Sequence, residues 1–358
     1  MQDLRSPHNN TVANSVEQQP IGLPPFQAPW WLGSSHLQTI LAKYLAPKQQ
    51  IATRQTMLQL PDGDELQLNW SLHLRPSAST PLVVLLHGLE GNLQSHYIQG
   101  MLRSLEQQGY ATVLMHFRGC HGKANRLPRA YHSGDTADFG YFISTLRQQF
   151  PVVPLAGIGF SLGGNVLVKY CGEQGTANPL FAAVAVSAPL DLSASADRIN
   201  QGFSKVYQRY LLGRLKATMQ RKLAAHANFP LPVNEDDIQQ LQSIRQFDEL
   251  ITAPMHDFLH AEDYYQRCSG KAFLSQVAKP LLLVHAEDDP FLGASSIPMP
   301  SELNPFVQLM LSKKGGHVGF VAGAYPWQRY YWLEQIVPTF LQQVLRSPIN
   351  SKAEQNSC

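Results

Sequence analysis

The segment Gly159-Phe160-Ser161-Leu162-Gly163 has the residue types and spacing for covalent chemistry. An apolar run short enough for a buried strand leads into it from Leu155 to Ile158, and an apolar helical stretch leaves through Val168 without a loop between. This is the strand, turn and helix setting that exposes a nucleophilic serine on a strained turn. Glycines two residues before and two after the serine remove side chains that would collide there. Ser161 is therefore the candidate nucleophile. Serine at its ordinary pKa is a weak nucleophile, so it needs a base and a third group to orient that base.

Thirteen histidines compete for the role of base. His317 follows the final expected strand and precedes the final expected helix, in Gly315-Gly316-His317-Val318-Gly319-Phe320, where glycines let the loop bend toward the serine. For the acid, the strand Leu281 to Val284 runs out into Glu287-Asp288-Asp289-Pro290. Spacing from the strand end favours Asp289, with Pro290 fixing the backbone beyond it. Asp288 is the close competitor and Asp191 a third choice. The order Ser161, Asp289, His317 is that of the α/β-hydrolase triad. Two backbone N–H groups are needed for an oxyanion, and Leu162 and Leu89 are the expected donors. His87, Gly88 and His116, at or beside strand ends, are expected to shape the substrate site. No metal-ligand spacing such as H-E-x-x-H occurs, so neither metal nor other cofactor is expected.

The elements that must position these residues read as an α/β fold. Arg54 to Leu74 forms a hairpin around Pro61-Asp62-Gly63, with Leu66, Leu68 and Trp70 alternating with polar residues. Continuous apolar runs at Val83–Leu86, Ala111–Met115, Leu155–Ile158 and Ala182–Val186 then alternate with helical stretches. Right-handed crossovers make of these a mostly parallel, doubly wound sheet. The alternation stops after Pro189, giving a helical cap insertion over 191–276, and resumes at Leu281–Val284 and Phe306–Met310. The organisation expected is an N-terminal arm over 1–50, a core over 51–190 and 277–346, the cap, and a polar tail over 347–358. Residues 1 to 20 and the tail read as disordered. A serine cap at Ser34, a final helix from near Tyr325 to Leu345, and a cap on the helix after His132-Ser133-Gly134-Asp135-Thr136 from Asp135 or Thr136 are further expectations.

With 44% hydrophobic residues, 15% charged ones and a net charge of +2, the chain is that of a globular protein with no pull toward nucleic acid. Four scattered cysteines form no C-x-x-C pair, and Met1 to Pro20 is polar and lacks the apolar run of a secretory signal, which together suggest a cytoplasmic protein with reduced thiols. The 17 uncharged residues from Val152 to Val168 read as a buried strand and helix, not a stable membrane insertion. Phe26, Trp30 and Trp31 are candidates for a peripheral membrane contact.

His87-Gly-Leu-Glu-Gly-Asn92, His116-Phe-Arg118-Gly119-Cys120-His-Gly122, Tyr131-His132-Ser-Gly-Asp135-Thr136, Gly159-Phe-Ser-Leu-Gly-Gly-Asn165, His285-Ala-Glu-Asp-Asp-Pro-Phe291 and Gly315-Gly-His-Val-Gly-Phe320 together resemble the YheT-like branch of the α/β-hydrolase superfamily. The resemblance covers about residues 24 to 345, the cap segment from Gly202 to Leu212 included. It implies a charge-relay system of Ser161, Asp289 and His317 acting on carboxylic esters, in a branch of bacterial esterases related to eukaryotic membrane-lipid hydrolases. The expected activity is hydrolysis of a short- to medium-chain acyl ester, its partner a small, lipid-like ester, with the oligomeric state open. The alternatives are acyl transfer or thioester cleavage by the same triad, and a binding protein that has lost turnover.

Overall fold

A computed structural model describes residues 22–47, 51–226, 229, 231 and 233–347. The expectations of disorder at 1–20 and beyond Ser347 fall outside these residues. The arm contributes α1 (Ser35–Leu45). A hairpin follows, β1 (Thr53–Gln59) and β2 (Glu65–Ser71), turning where Gly63 takes φ +87°. Next come β3 (Leu82–Leu86), α2 (His96–Gln107), β4 (Ala111–Met115), α3 (Ala137–Gln149), β5 (Leu155–Phe160), α4 (Leu162–Gln174) and β6 (Leu180–Val186). After a helical excursion the sheet is completed by β7 (Leu281–Ala286) and β8 (Val307–Ser312).

The eight strands lie in the order β1-β2-β4-β3-β5-β6-β7-β8. β1 and β2 pair antiparallel, β2 meets β4 antiparallel, and all strands from β4 to β8 run parallel. This is the α/β-hydrolase arrangement expected from the sequence. The period of two explains the two cores. Leu82, Val84 and Leu86 face Phe139, Phe142, Val166 and Leu167 of α3 and α4, while Val83 and Leu85 face Ile98, Leu102 and Leu105 of α2. All parallel strands therefore end on the same edge, where the loops bearing Ser161, Asp289 and His317 emerge.

Between β6 and β7 run α5 (Leu192–Ile199), α6 (Ser204–Ala225), α7 (Glu235–Gln240) and α8 (Ile244–Phe247), then a π-helical turn (Asp248–Thr252) into α9 (Ala253–Met255), and α10 (Ala261–Cys268). Leu212, Leu215, Met219, Ile238, Phe247 and Ile251 give this segment an apolar cluster of its own. Polar anchors tie it down. Lys222 of α6 is buried and donates to Asn125 Oδ1 and, at 2.8 Å, to Arg129 O; burial lowers its pKa to about 8. Asn125 in turn donates to Asp64, which with Asp138 flanks the buried Arg118 guanidinium at 2.9 and 2.6 Å. Each of these polar groups has its partner, as burial demands.

Three local expectations are corrected. The last helix, α11 (Leu333–Arg346), starts eight residues beyond Tyr325. The intervening chain turns at Pro326–Gln328 and returns as β10 (Tyr330–Tyr331) on β9 (Val321–Ala322), so its backbone donors go to a ladder instead. Ser34 precedes α1 without a side-chain cap bond. Neither Asp135 nor Thr136 caps α3: Asp135 holds Arg129 through both oxygens at 2.9 Å, and Thr136 Oγ1 donates to Glu173.

Candidate active site

Ser161 stands between β5 and α4 at φ +51° and ψ −121°, a conformation that costs a non-glycine residue of order 1–3 kcal/mol. The surroundings hold it there: its N–H donates to Val186 O at 2.8 Å and its carbonyl accepts from Gly164 N at 2.9 Å. The turn is tight because its glycines touch backbone. A Cβ on Gly159 would lie 2.3 Å from Gly163 O, and one on Gly163 would lie 2.5 Å from His87 O. Gly163→Ala is accordingly expected to lower unfolding free energy by about 3 kcal/mol in urea titrations. Gly213→Ala, on the open face of α6, is the matched control and is expected to add roughly 0.5–1 kcal/mol.

His317 Nε2 lies 2.9 Å from Ser161 Oγ, and its Nδ1 lies 2.8 and 3.1 Å from the two oxygens of Asp289. A carboxylate accepts only, so Nδ1 carries the proton and Nε2 presents its lone pair to the serine hydroxyl. Asp289 is buried, and its Oδ1 also accepts the Phe291 N–H at 2.8 Å. The His317 loop is bent through Gly316, Val318 and Phe320 at φ +61°, +54° and +44°. Three backbone bonds pin that loop: Gly316 N to Asp288 Oδ1 at 3.0 Å, His317 N to Thr39 Oγ1 at 2.9 Å, and Val318 N to Ser187 Oγ at 3.1 Å. The Phe291 ring stacks on the imidazole at 4.0 Å and 3°.

The two acid competitors separate by position. Asp288, whose burial raises its carboxyl pKa, faces the Gly316 N–H. Asp191 accepts from Ala194 N as the N-cap of α5. Only Asp289 reaches His317 among these three.

Leu162 opens α4, so its N–H is one of those that no carbonyl of the helix can accept. Across from it the loop after β3 runs against the serine, where a Cβ on Gly88 would sit 3.2 Å from Ser161 Cβ. Gly88 N–H is taken by Tyr97 Oη at 3.0 Å, and Leu89 next to it lines the pocket. Glu90 holds the loop's far side through Tyr131 Oη and Thr218 Oγ1.

His87 and His116 stand behind the pocket wall, which corrects the expectation of substrate contact. His87 Nδ1–H donates to Gly88 O at 2.8 Å and Nε2 accepts from Phe117 N at 3.2 Å; burial lowers its pKa to about 4. His116 pairs with Asn69 Oδ1 at 3.0 Å and burial lowers its pKa to about 3. Both are neutral supports of the loop. Among the described residues, no three His, Cys, Asp or Glu side chains converge as metal ligands.

The pocket at Ser161 opens to solvent and has a cavity volume of about 120 Å³. Leu192, Ile199, Leu211, Leu215, Ile244 and Phe247, all from the helices between β6 and β7, form much of its apolar wall. His132 and Ser133 complete one side. The fully buried Asn165 joins that side to the elbow, donating to Ser133 O and Cys268 O at 2.8 and 2.9 Å and accepting from Gly270 N at 2.8 Å. Phe291, Thr39, Ser187, Tyr97 and Asn165 had no assigned role in the sequence. Only the two that fall within the family-like motifs, Phe291 and Asn165, carried any signal.

A mostly parallel sheet, a serine on a strained strand-to-helix turn, and a histidine and carboxylate from later strand ends define the α/β-hydrolase class, and the chain belongs to the alpha/beta hydrolase fold family, matching it over residues 81–324. Within that class it falls among esterase- and lipase-type members. It is 43% identical over 312 residues to "Putative esterase YheT" of Escherichia coli (strain K12), covering 87% of this chain and 91% of that one. It is 29% identical over 322 residues to "Phospholipase ABHD3" of Mus musculus, covering 88% and 77%. Among solved structures, the Pyrococcus furiosus esterase Pf2001 shares the fold with a TM-score of 0.52 at 15% identity, over 90% of this chain and 98% of that one. No helix among the described residues is long and apolar enough to cross a membrane.

Proposed function

We propose that this protein is a serine hydrolase that cleaves carboxylic esters of short to medium acyl chains through an acyl-enzyme on Ser161. The observation that carries the reading is the continuous hydrogen-bonded line from Ser161 Oγ through His317 to Asp289, at 2.9 and 2.8 Å. In this mechanism His317 Nε2 takes the serine proton as Oγ attacks the ester carbonyl. The Leu162 and Leu89 N–H groups receive the oxyanion, the imidazolium returns its proton to the leaving alcohol, and water then releases the acid by the same steps. Asp289 holds the imidazole in the tautomer required. The helices of 191–276 act as a cap whose apolar wall receives the acyl chain. A reducing compartment such as the cytoplasm suits Cys120, Cys171 and Cys268, all buried free thiols.

The test is labelling with a fluorophosphonate, which reacts only with an activated serine. Wild type is expected to label at one site and the Ser161→Ala variant not at all. Labelling that persists in the variant, or none in folded wild type, would refute the assignment. Release of free acid, in place of transfer to an added alcohol or thiol, separates hydrolysis from acyl transfer.

A further inference from the structure

The outer surface beside the pocket mouth has a composition that the proposed chemistry does not use. α1 and α6 meet through their side chains: the His36 ring lies 4.6 Å from Phe203, His36 Nδ1 is 3.0 Å from Tyr207 Oη, and Lys43 Nζ is 6.0 Å from the Tyr210 ring centre. On α6 and the turn before it, Phe203, Val206 and Tyr210 are each at least half exposed, with Leu37 and Tyr44 exposed on α1. Neither helix contains a carboxylate. Lys43, Lys205 and Arg209 stand exposed among these apolar groups, and none of the three has an ion-pair partner among the described residues, while the partly buried Arg214 donates to Tyr210 Oη. The whole chain has a net charge of only +2, so this cationic surface is segregated.

A segment bonded to the C-terminal end of α1 extends the pattern. The β9–β10 hairpin is tied to α1 by Tyr331 Oη to Ala42 O and Arg329 Nε to Leu45 O, at 2.6 and 3.0 Å. Its turn carries Tyr325 stacked on Trp327 at 5.0 Å, and the largely exposed Trp30 bonds Ala324 O. Phe26, by contrast, is buried against Phe320 and Trp332, so the membrane contact expected there is not available, while Trp31 is half-buried and donates to Gly323 O at 3.0 Å.

We infer that the exposed faces of α1 and α6 form a docking surface for an anionic phospholipid bilayer. Aromatic rings with a polar edge settle at the headgroup level of a bilayer, and exposed lysine and arginine are drawn to anionic headgroups. The two attractions reinforce each other, which a protein-sized anion without an apolar phase would not exploit. The surface continues into the site: Tyr207 of α6 lies 4.9 Å from Phe291, the ring stacked on His317, and Leu211 and Leu215 line the pocket. Docking would bring the pocket mouth to the source of apolar esters. The docking claim does not depend on the serine chemistry, since binding is measured without turnover.

The test is vesicle flotation of the full chain carrying Ser161→Ala, with vesicles of phosphatidylcholine alone and of phosphatidylcholine with an equal part of phosphatidylglycerol. The protein is expected to float with the anionic vesicles at low salt and to be released at high salt. Lys205→Gln with Arg209→Gln is expected to weaken binding roughly thirty-fold, from the attraction contributed by each cation. Phe203→Ser with Tyr210→Ser is expected to weaken it about tenfold or more through lost apolar contact. Thermal melting of each variant checks the fold. Absence of binding to anionic vesicles at low salt would overturn the proposal, as would binding that either double variant leaves unchanged. Equal displacement by a soluble polyanion from wild type and from the aromatic double variant would reassign the surface to an acidic macromolecule and overturn it as well.

Discussion

Ser161→Ala is expected to lower kcat on a chromogenic acetate or butyrate ester by about six orders of magnitude, roughly 8 kcal/mol of barrier, while the protein stays folded. The size of the loss comes from the arrangement at the site. With Oγ gone, His317 Nε2 has no hydroxyl to deprotonate, and no other hydroxyl among the described residues is hydrogen-bonded to it. The pocket and the backbone donors survive, which position a water poorly and yet bind the ester much as before. KM is therefore expected to move little beside kcat. The fold should tolerate the change, since alanine retains Cβ and the backbone bonds to Val186 and Gly164 are untouched. Stopped and steady-state assays of purified variant and wild type check it. A kcat within about a hundredfold of wild type would mean that the reaction does not pass through this serine.

Asp289→Asn is expected to lower kcat by about ten thousand-fold, and Asp288→Asn by less than about tenfold. The two positions are adjacent in the chain and carry the same side chain, so the contrast isolates geometry. An amide at 289 can present its NH2 to Nδ1, which then must accept, and the proton moves to Nε2, where it opposes rather than receives the serine hydroxyl. An amide at 288 keeps the oxygen that accepts the Gly316 N–H, and the carboxylate it replaces has its other oxygen buried with no hydrogen-bond partner among the described residues. Activity of the two variants over a range of pH, with melting curves as the folding control, checks the contrast. Reversed losses would assign the orienting acid to Asp288.

The legible part of the site was the part built from local sequence. Gly159, Gly163 and Gly164 signal the elbow because the turn is made by consecutive residues; at Gly159 a side chain is excluded by the backbone of Gly163, whereas at Gly163 it is excluded by the carbonyls of Leu86 and His87 at the neighbouring strand end, a contact that the local sequence does not contain. His317 could be singled out from thirteen histidines because its loop leaves the last strand of the sheet, ahead of the final helix. Strand-end spacing favoured Asp289 with Asp288 as a close competitor, since that spacing has an uncertainty of one residue and one residue separates the two. His87 and His116 were read as site residues for the same reason, since a strand end can aim a side chain into the pocket or behind it. Their backbone and Asn69 bonds turn them behind it.

The start of the last helix was misread because hydropathy across Tyr325 to Leu345 is compatible with one amphipathic element. The competing interaction was the ladder between Tyr330–Tyr331 and Val321–Ala322, which the periodicity of either segment alone does not contain. Capping failed similarly at Asp135, where the half-buried Arg129 guanidinium outcompetes a helix N–H for the carboxylate.

By itself, then, the sequence determined the candidate residue types and their order: a serine on a strand-to-helix turn, a carboxylate at one later strand end, and a histidine after the last parallel strand. Those come from the glycine spacing of the turn and from strand and helix periods, signals that are written within a few residues. The tertiary structure alone decided which carboxylate meets His317, what holds that histidine, and what walls the pocket. Thr39 reaches the His317 N–H across a separation of 278 residues, and Ser187 reaches Val318 across 131. Such contacts depend on how the arm, the strand ends and the helices between β6 and β7 pack together, and no local period in the chain encodes that packing.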